Sequence, residues 1–244
     1  GDSLAAAFGA DGTLHAVFGV DGIGTHAAWN GTRWTLTPIE GPEFASSDRP
    51  SGAMVVDTRP AEAFAEGHLA GTLNIPAGGS FVTWAGWLLP YDRDLYLITR
   101  DGSAEDVAEL TRQLALIGLD RVAGIADTAA MTAAAGGALA TIPQVTPDTL
   151  ASDLAAGAVQ VVDVRAVNEW REGHIAGARH LPLGRLPARL AEIPADRPVV
   201  VQCKSGGRSA IAASLLRRLG RQDVLNLTGG VEAWVAAGQP VTSV

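Results

Sequence analysis

Thiols and primary amines are almost missing from this chain: Cys203 is its one cysteine and Lys204, the next residue, its one lysine, in 244 residues. A single cysteine excludes an internal disulfide framework and most thiolate metal sites, and it suits a reducing compartment such as the cytoplasm. His15, His26 and His180 show no metal-ligand spacing, so neither a metal nor an organic cofactor is expected. No apolar run approaches the roughly 18–20 residues of a membrane span. A formal net charge of −8 argues against nucleic acid as a partner. What remains is ordinary for a globular protein, 47% apolar and 18% charged, with length enough for two modest domains. The chain opens Gly-Asp rather than Met, so it reads as trimmed, and the lack of a leader says little about its parent.

The two scarce residues stand together in Val199-Val-Val-Gln-Cys-Lys-Ser-Gly-Gly-Arg-Ser209. The valines read as a buried strand ending at Cys203, and residues 208–219 read as an amphipathic helix. Between them Ser205, Gly206 and Gly207 form a tight turn with little side chain to block the backbone. Such a loop aims N–H groups at one point, and the helix behind adds its positive end. Lys204 and Arg208 add two cations. A thiol held in such a place ionises more readily than free cysteine, at about 8.5. The gain in thiolate is nearly offset by lower nucleophilicity. The loop is therefore expected to act mainly by binding anions and charged intermediates.

An internal repeat sets the architecture. Val55-Val-Asp-Thr-Arg59 returns as Val161-Val-Asp-Val-Arg165, and Gly67-His-Leu-Ala-Gly-Thr-Leu-Asn-Ile-Pro76 as Gly173-His-Ile-Ala-Gly-Ala-Arg-His-Leu-Pro182. Both keep an offset of 106. In the second unit Thr146-Pro147 starts a helix running to about Gly157. Strands are expected at 159–163, 178–181, 198–202 and 223–227, and helices at 168–172, 186–192, 208–219 and 230–237. That alternation implies an α/β fold with parallel sheets, in which reactive groups collect at the carboxyl ends of the strands. The expected division is a β-rich segment of unknown role at 1–48, a first α/β domain at 49–135, a linker at 136–144 and a second domain at 145–244. Within the first segment, Leu14–Val20, Gly24–Trp29 and Arg33–Thr37 look like a three-stranded meander.

The second unit combines Asp163-Val-Arg165, Glu169-Trp-Arg-Glu-Gly-His-Ile-Ala-Gly-Ala178, the cysteine loop and Leu227-Thr-Gly-Gly-Val-Glu-Ala-Trp234. This resembles the rhodanese (sulfurtransferase) family, as two tandem rhodanese-like domains over about 195 residues. The first unit, with its insert Gly78-Gly-Ser-Phe-Val-Thr-Trp-Ala-Gly-Trp-Leu-Leu89, resembles the rhodanese modules fused behind metallo-β-lactamase-fold persulfide dioxygenases. Such a dioxygenase domain or protein is thus an implied partner, although no His-x-His-x-Asp-His zinc motif occurs in these residues. The resemblance implies that Cys203 takes a sulfane sulfur from thiosulfate or a small persulfide and passes it to cyanide, sulfite or a thiol. Backbone N–H groups of residues 204–208 would cradle the sulfur, with Lys204 and Arg208 holding the donor's anionic end. Ser205 and Ser209 are expected to hydrogen-bond the persulfide or cap the helix.

The first unit has no thiol: either Thr99 or Asp101 falls opposite Cys203, and under either alignment Arg100-Asp-Gly-Ser-Ala-Glu-Asp106 has acidic residues in place of the cations. It is expected to be catalytically silent. Asp163 with Arg165, like Asp57 with Arg59, reads as a structural ion pair, and His174, like His68, as a turn-fixing hydrogen bond. Glu169 and Arg171 read as solvated helix charges. A cysteine phosphatase would need Cys-x5-Arg, but Cys203 and Arg208 enclose four residues. A non-catalytic persulfide carrier or sensor that binds a partner protein remains the alternative, and a pure scaffold a third.

Overall fold

The computed structural model of the chain describes residues 54–136 and 138–243, together with four strands in the N-terminal segment. These are β1 (Leu4–Phe8), β2 (Leu14–Val20), β3 (Ile23–Trp29) and β4 (Trp34–Ile39). They pair antiparallel in sequence order. The meander therefore has four strands where three were expected. Leu-Ala-Ala-Ala-Phe carries no strand signature, because alanine is depleted in sheets.

The contacts divide the chain into two compact units, residues 1–140 and 141–244. The first unit holds a parallel sheet of β5 (Met54–Asp57), β6 (Leu73–Asn74), β7 (Leu95–Ile98) and β8 (Val122–Ala126), in the order β6-β5-β7-β8. Its helices are α1 (Ala61–Glu66), α2 (Phe81–Leu88), α3 (Ala104–Leu116) and α4 (Thr128–Ala134). Helix α3 buries Val107, Leu110 and Leu114, the spacing of a single apolar stripe, and Ser103 caps its first turn by accepting the Asp106 N–H. The expected linker is shared out: Ala140 exchanges backbone hydrogen bonds of 2.9 Å with His68, and Gln144–Val145 forms strand β9 of the second unit.

In the second unit β9, β10 (Gln160–Asp163), β11 (Arg179–His180), β12 (Val199–Gln202) and β13 (Val224–Leu227) are all parallel, in the order β11-β10-β12-β13-β9. Helices α5 (Pro147–Ala155), α6 (Val167–Glu172), α7 (Gly207–Arg218) and α8 (Gly230–Ala236) complete it. Thr146 caps α5 by accepting the Thr149 N–H at 3.3 Å. One core joins Val145, Leu150, Val161, Ile175, Val200, Leu227 and Trp234, and the Trp234 indole N–H donates to the Pro240 carbonyl at 2.8 Å. The helix expected at 186–192 is instead a pair of 3-10 turns, Leu183–Arg185 and Pro187–Glu192. Leu183 and Leu186 are both buried, and their three-residue spacing suits the three-residue turn of that helix.

Each unit holds a matching buried ion pair, at the carboxyl end of β5 in the first and of β10 in the second. Arg165 Nη2 lies 2.6 Å from Asp163 and 2.7 Å from the Gly173 carbonyl, and Arg59 makes the same bonds to Asp57 and Gly67. The pair therefore ties the strand end to the Gly-His turn in both places. His174 Nδ1 donates to the Trp170 carbonyl at 3.0 Å and stacks on that indole; His68 repeats the arrangement on Phe64. Arg165→Leu should cost about 3 kcal/mol or more in urea unfolding, because it strands the Asp163 carboxylate in the interior. A loss below about 1 kcal/mol would contradict that role.

Candidate active site

Strand β12 delivers Cys203 to the carboxyl edge of the second sheet, and α7 begins four residues later. Asp163 pairs with Gln202 in the sheet, so the Asp-Val-Arg turn and the cysteine turn leave neighbouring strands together. Gly206 takes φ +105°, a left-handed conformation that a side chain would strain. That twist points its N–H back at the sulfur, at 3.2 Å from Cys203 Sγ. Ser209 Oγ lies 3.5 Å from the same sulfur and 2.9 Å from the Gly206 carbonyl, so its one proton has two possible acceptors. Ser209 thus lies against both the thiol and the Gly206 carbonyl, while no side chain caps the start of α7. The N–H groups of Gly207, Arg208 and Ser209 open α7, where no earlier turn supplies acceptors. Cys203 itself is buried, with Lys204, Ser205 and Gly207 exposed around it.

A second helix start holds the loop from behind. Val231 N–H donates to the Cys203 carbonyl at 2.8 Å and Glu232 N–H to the Lys204 carbonyl at 3.0 Å. Gly230 makes this approach possible, since a Cβ there would sit 2.7 Å from the Lys204 carbonyl oxygen and closer still to that of Cys203. The Leu227–Trp234 motif therefore works as a clamp on the loop backbone. The sequence alone gives that motif no role, and its paired glycines ahead of a helix are the available signal.

The charges differ from expectation. Glu169, read as a solvated helix charge, forms two hydrogen bonds of 2.6 Å with the Arg208 guanidinium across 39 residues of sequence. Its carboxylate also accepts the Ala166 N–H at 3.0 Å, which closes the first turn of α6. The Arg208 contact holds the Glu169 carboxyl well down, at about 2, and raises Arg208 in turn. Lys204 Nζ lies 3.7 Å from Glu232 with both groups exposed. Arg208 is thus not a free anion receptor.

In the first unit the register settles what stands opposite the cysteine. Asp57 pairs with Ile98 as Asp163 pairs with Gln202, so Thr99 takes the place of Cys203. Thr99 Oγ1 accepts the Gly102 N–H at 3.0 Å, and Gly102 has φ +66°, repeating the bond from Gly206 to the sulfur. Arg100 then occupies the position of Lys204. Glu105, second in α3, occupies that of Arg208, second in α7. Acidic replacement therefore holds at one cation and not at the other. Among the described residues no cluster of three or more histidines, cysteines or carboxylates is placed to hold a metal ion, and no helix is long and apolar enough to cross a membrane.

The model of the rhodanese-like domain matches residues 146–237, the stretch that contains the cysteine loop, its clamp and the buried ion pair. The chain belongs to the rhodanese family. A sulfurtransferase of Allochromatium vinosum is 44% identical over 85 residues, covering 35% of this chain and 79% of that protein. The thiosulfate sulfurtransferase GlpE of Stutzerimonas stutzeri is 42% identical over 79 residues, covering 32% of this chain and 72% of the relative. The probable adenylyltransferase/sulfurtransferase MoeZ of Mycobacterium tuberculosis is 32% identical over 166 residues, 65% of this chain but 39% of that one.

The Glu169–Arg208 pair carries a pH signature. The Glu169 pKa is lowered on folding to about 2, from about 4.3 in an unfolded chain. Its stabilisation is therefore fully present above about pH 4.5 and lost as pH falls toward 2. Urea unfolding across that range should show wild type more stable than Glu169→Gln at pH 6, with the gap narrowing steadily as pH falls below about 4.5 toward 2. A gap independent of pH would contradict the ion pair.

Proposed function

We propose that this rhodanese is a sulfurtransferase acting through a persulfide on Cys203. The observation that carries the reading is a lone thiol at a strand end, accepting a hydrogen bond from Gly206 N–H at 3.2 Å within the loop that starts α7. In the first half-reaction the Cys203 thiolate attacks the outer sulfur of the donor. With thiosulfate, the donor's S–S bond breaks with its electron pair leaving on sulfite, and a new S–S bond joins that sulfur to Cys203. In the second, a nucleophile such as cyanide takes the outer sulfur as thiocyanate and returns the thiolate. The N–H groups of residues 204–208 stabilise the persulfide anion, and Ser209 donates to it or to the Gly206 carbonyl. Asp163, Arg165 and His174 hold the frame and do not touch sulfur.

By the same reading residues 49–135 form a second rhodanese-like domain made silent by Thr99, and residues 145–244 form the catalytic one, working in a reducing cytoplasm. Phosphatase chemistry finds less support, since the ring between Cys203 and Arg208 is short and the arginine is engaged by Glu169. A carrier that forms the persulfide but turns over no small acceptor is the outcome that would replace catalysis.

Intact mass spectrometry before and after thiosulfate or glutathione persulfide, with wild type and Cys203→Ser, tests this. Wild type alone should gain about 32 Da and lose it to cyanide as thiocyanate appears. No adduct with either donor overturns the sulfurtransferase reading. An adduct that cyanide and thiols remove only slowly establishes the carrier.

A further inference from the structure

The charges around the cysteine loop answer one another. Arg165 is paired with Asp163 inside the protein, Lys204 faces Glu232 at the surface, and Arg208 is joined to Glu169 through both of its terminal nitrogens. Three cations thus meet three carboxylates, and these side chains add no net positive charge to the mouth of the loop beyond the start of α7. An incoming dianion gains little attraction there, because Coulomb energy scales with the product of charges. The Glu169–Arg208 pair is also the firmest of those at the surface. Its side chains are only 22% and 25% exposed, and Glu169 is anchored a second time by the Ala166 N–H. For Arg208 to grip a sulfonate with its terminal nitrogens it must release Glu169. That would leave a half-buried carboxylate beside two incoming negative charges.

We infer that Glu169 acts as a charge filter, holding Arg208 away from dianionic donors so that Cys203 is served by an organic persulfide rather than by thiosulfate. The inference rests on Cys203 being the nucleophile. The step balances without a co-reactant: the Cys203 thiolate attacks the outer sulfur of R–S–SH, the donor's S–S bond breaks, and R–S⁻ leaves with the electron pair. The new Cys203–S–SH keeps the proton, and one negative charge stands on each side. With thiosulfate the same attack brings a monoanion and a dianion together, and that encounter is where the filter acts. Glu169 is here a positioning residue acting through Arg208, not a group that touches sulfur.

The test compares kcat/KM for thiosulfate and for glutathione persulfide in wild type, Glu169→Gln and Glu169→Asp. Glutamine keeps an oxygen for the Ala166 N–H and removes only the charge. The ratio of thiosulfate to persulfide efficiency should rise about tenfold in Glu169→Gln, and the rise should shrink at high salt. Glu169→Asp, which keeps the charge, should stay near wild type. An unchanged ratio in a folded Glu169→Gln protein, or an equal fall with both donors, overturns the filter and leaves a merely structural pair. Wild type gives an independent reading: its thiosulfate kcat/KM should be nearly flat from low salt to about 0.5 M. A steep fall with salt would show a net positive mouth and sink the proposal. If wild type forms no Cys203 persulfide with either donor, the nucleophile reading fails instead, and the two failures cannot be confused.

Discussion

The loop of Cys203 hangs between two helix starts, and most of the second unit is arranged around that suspension. Carbonyls of Cys203 and Lys204 accept the first N–H groups of α8, while the sulfur accepts the Gly206 N–H at the start of α7. Oxygen faces one helix and sulfur the other, so the peptide units between them have little freedom to turn. Helix starts carry unsatisfied donors and a positive dipole end. One start is used up holding the loop still, and the other lies against the thiol. Preorganisation of this kind stabilises developing charge without the cost of reorienting dipoles during reaction.

Two constraints keep the helices in place. Parallel pairing of β10, β12 and β13 sets the strand ends side by side, and the buried Asp163–Arg165 pair ties β10 to the Gly-His turn. The same pair, the same histidine bond and the same order of four strands, without the edge strand β9, recur in the first unit, where no thiol exists. Recurrence without the thiol is what a role in the frame would produce. What separates the units is small. Thr99 accepts a hydrogen bond where Cys203 does, so the turn geometry survives the loss of sulfur.

Much of this was legible in the sequence because it is local. Thr146-Pro147 announced a helix start, the valines of β12 a buried strand, and the repeated Val-Val-Asp and Gly-His runs the doubled unit. The misreadings have physical causes. Strand β9 is two residues long and exists only because β13 offers it an edge. The chain at 183–192 has helix-like composition, but its buried leucines, Leu183 and Leu186, stand three apart. Glu169 lies 39 residues from Arg208, and nothing in a helix surface pattern says which exposed carboxylate will find a distant guanidinium. That contact changes the chemistry most, since it turns an apparent anion receptor into a neutral pair.

We propose that N–H donors of residues 204–208 converge on an extra sulfur carried by Cys203. A crystal structure of the protein after exposure to a persulfide donor tests it most directly. The account predicts density for one added atom about 2.05 Å from Sγ, lying within about 3.5 Å of at least two N–H groups of residues 204–208, with Gly230 still seated on the Cys203 carbonyl. An unmodified sulfur, or an added atom pointing away from those N–H groups toward solvent, would contradict it.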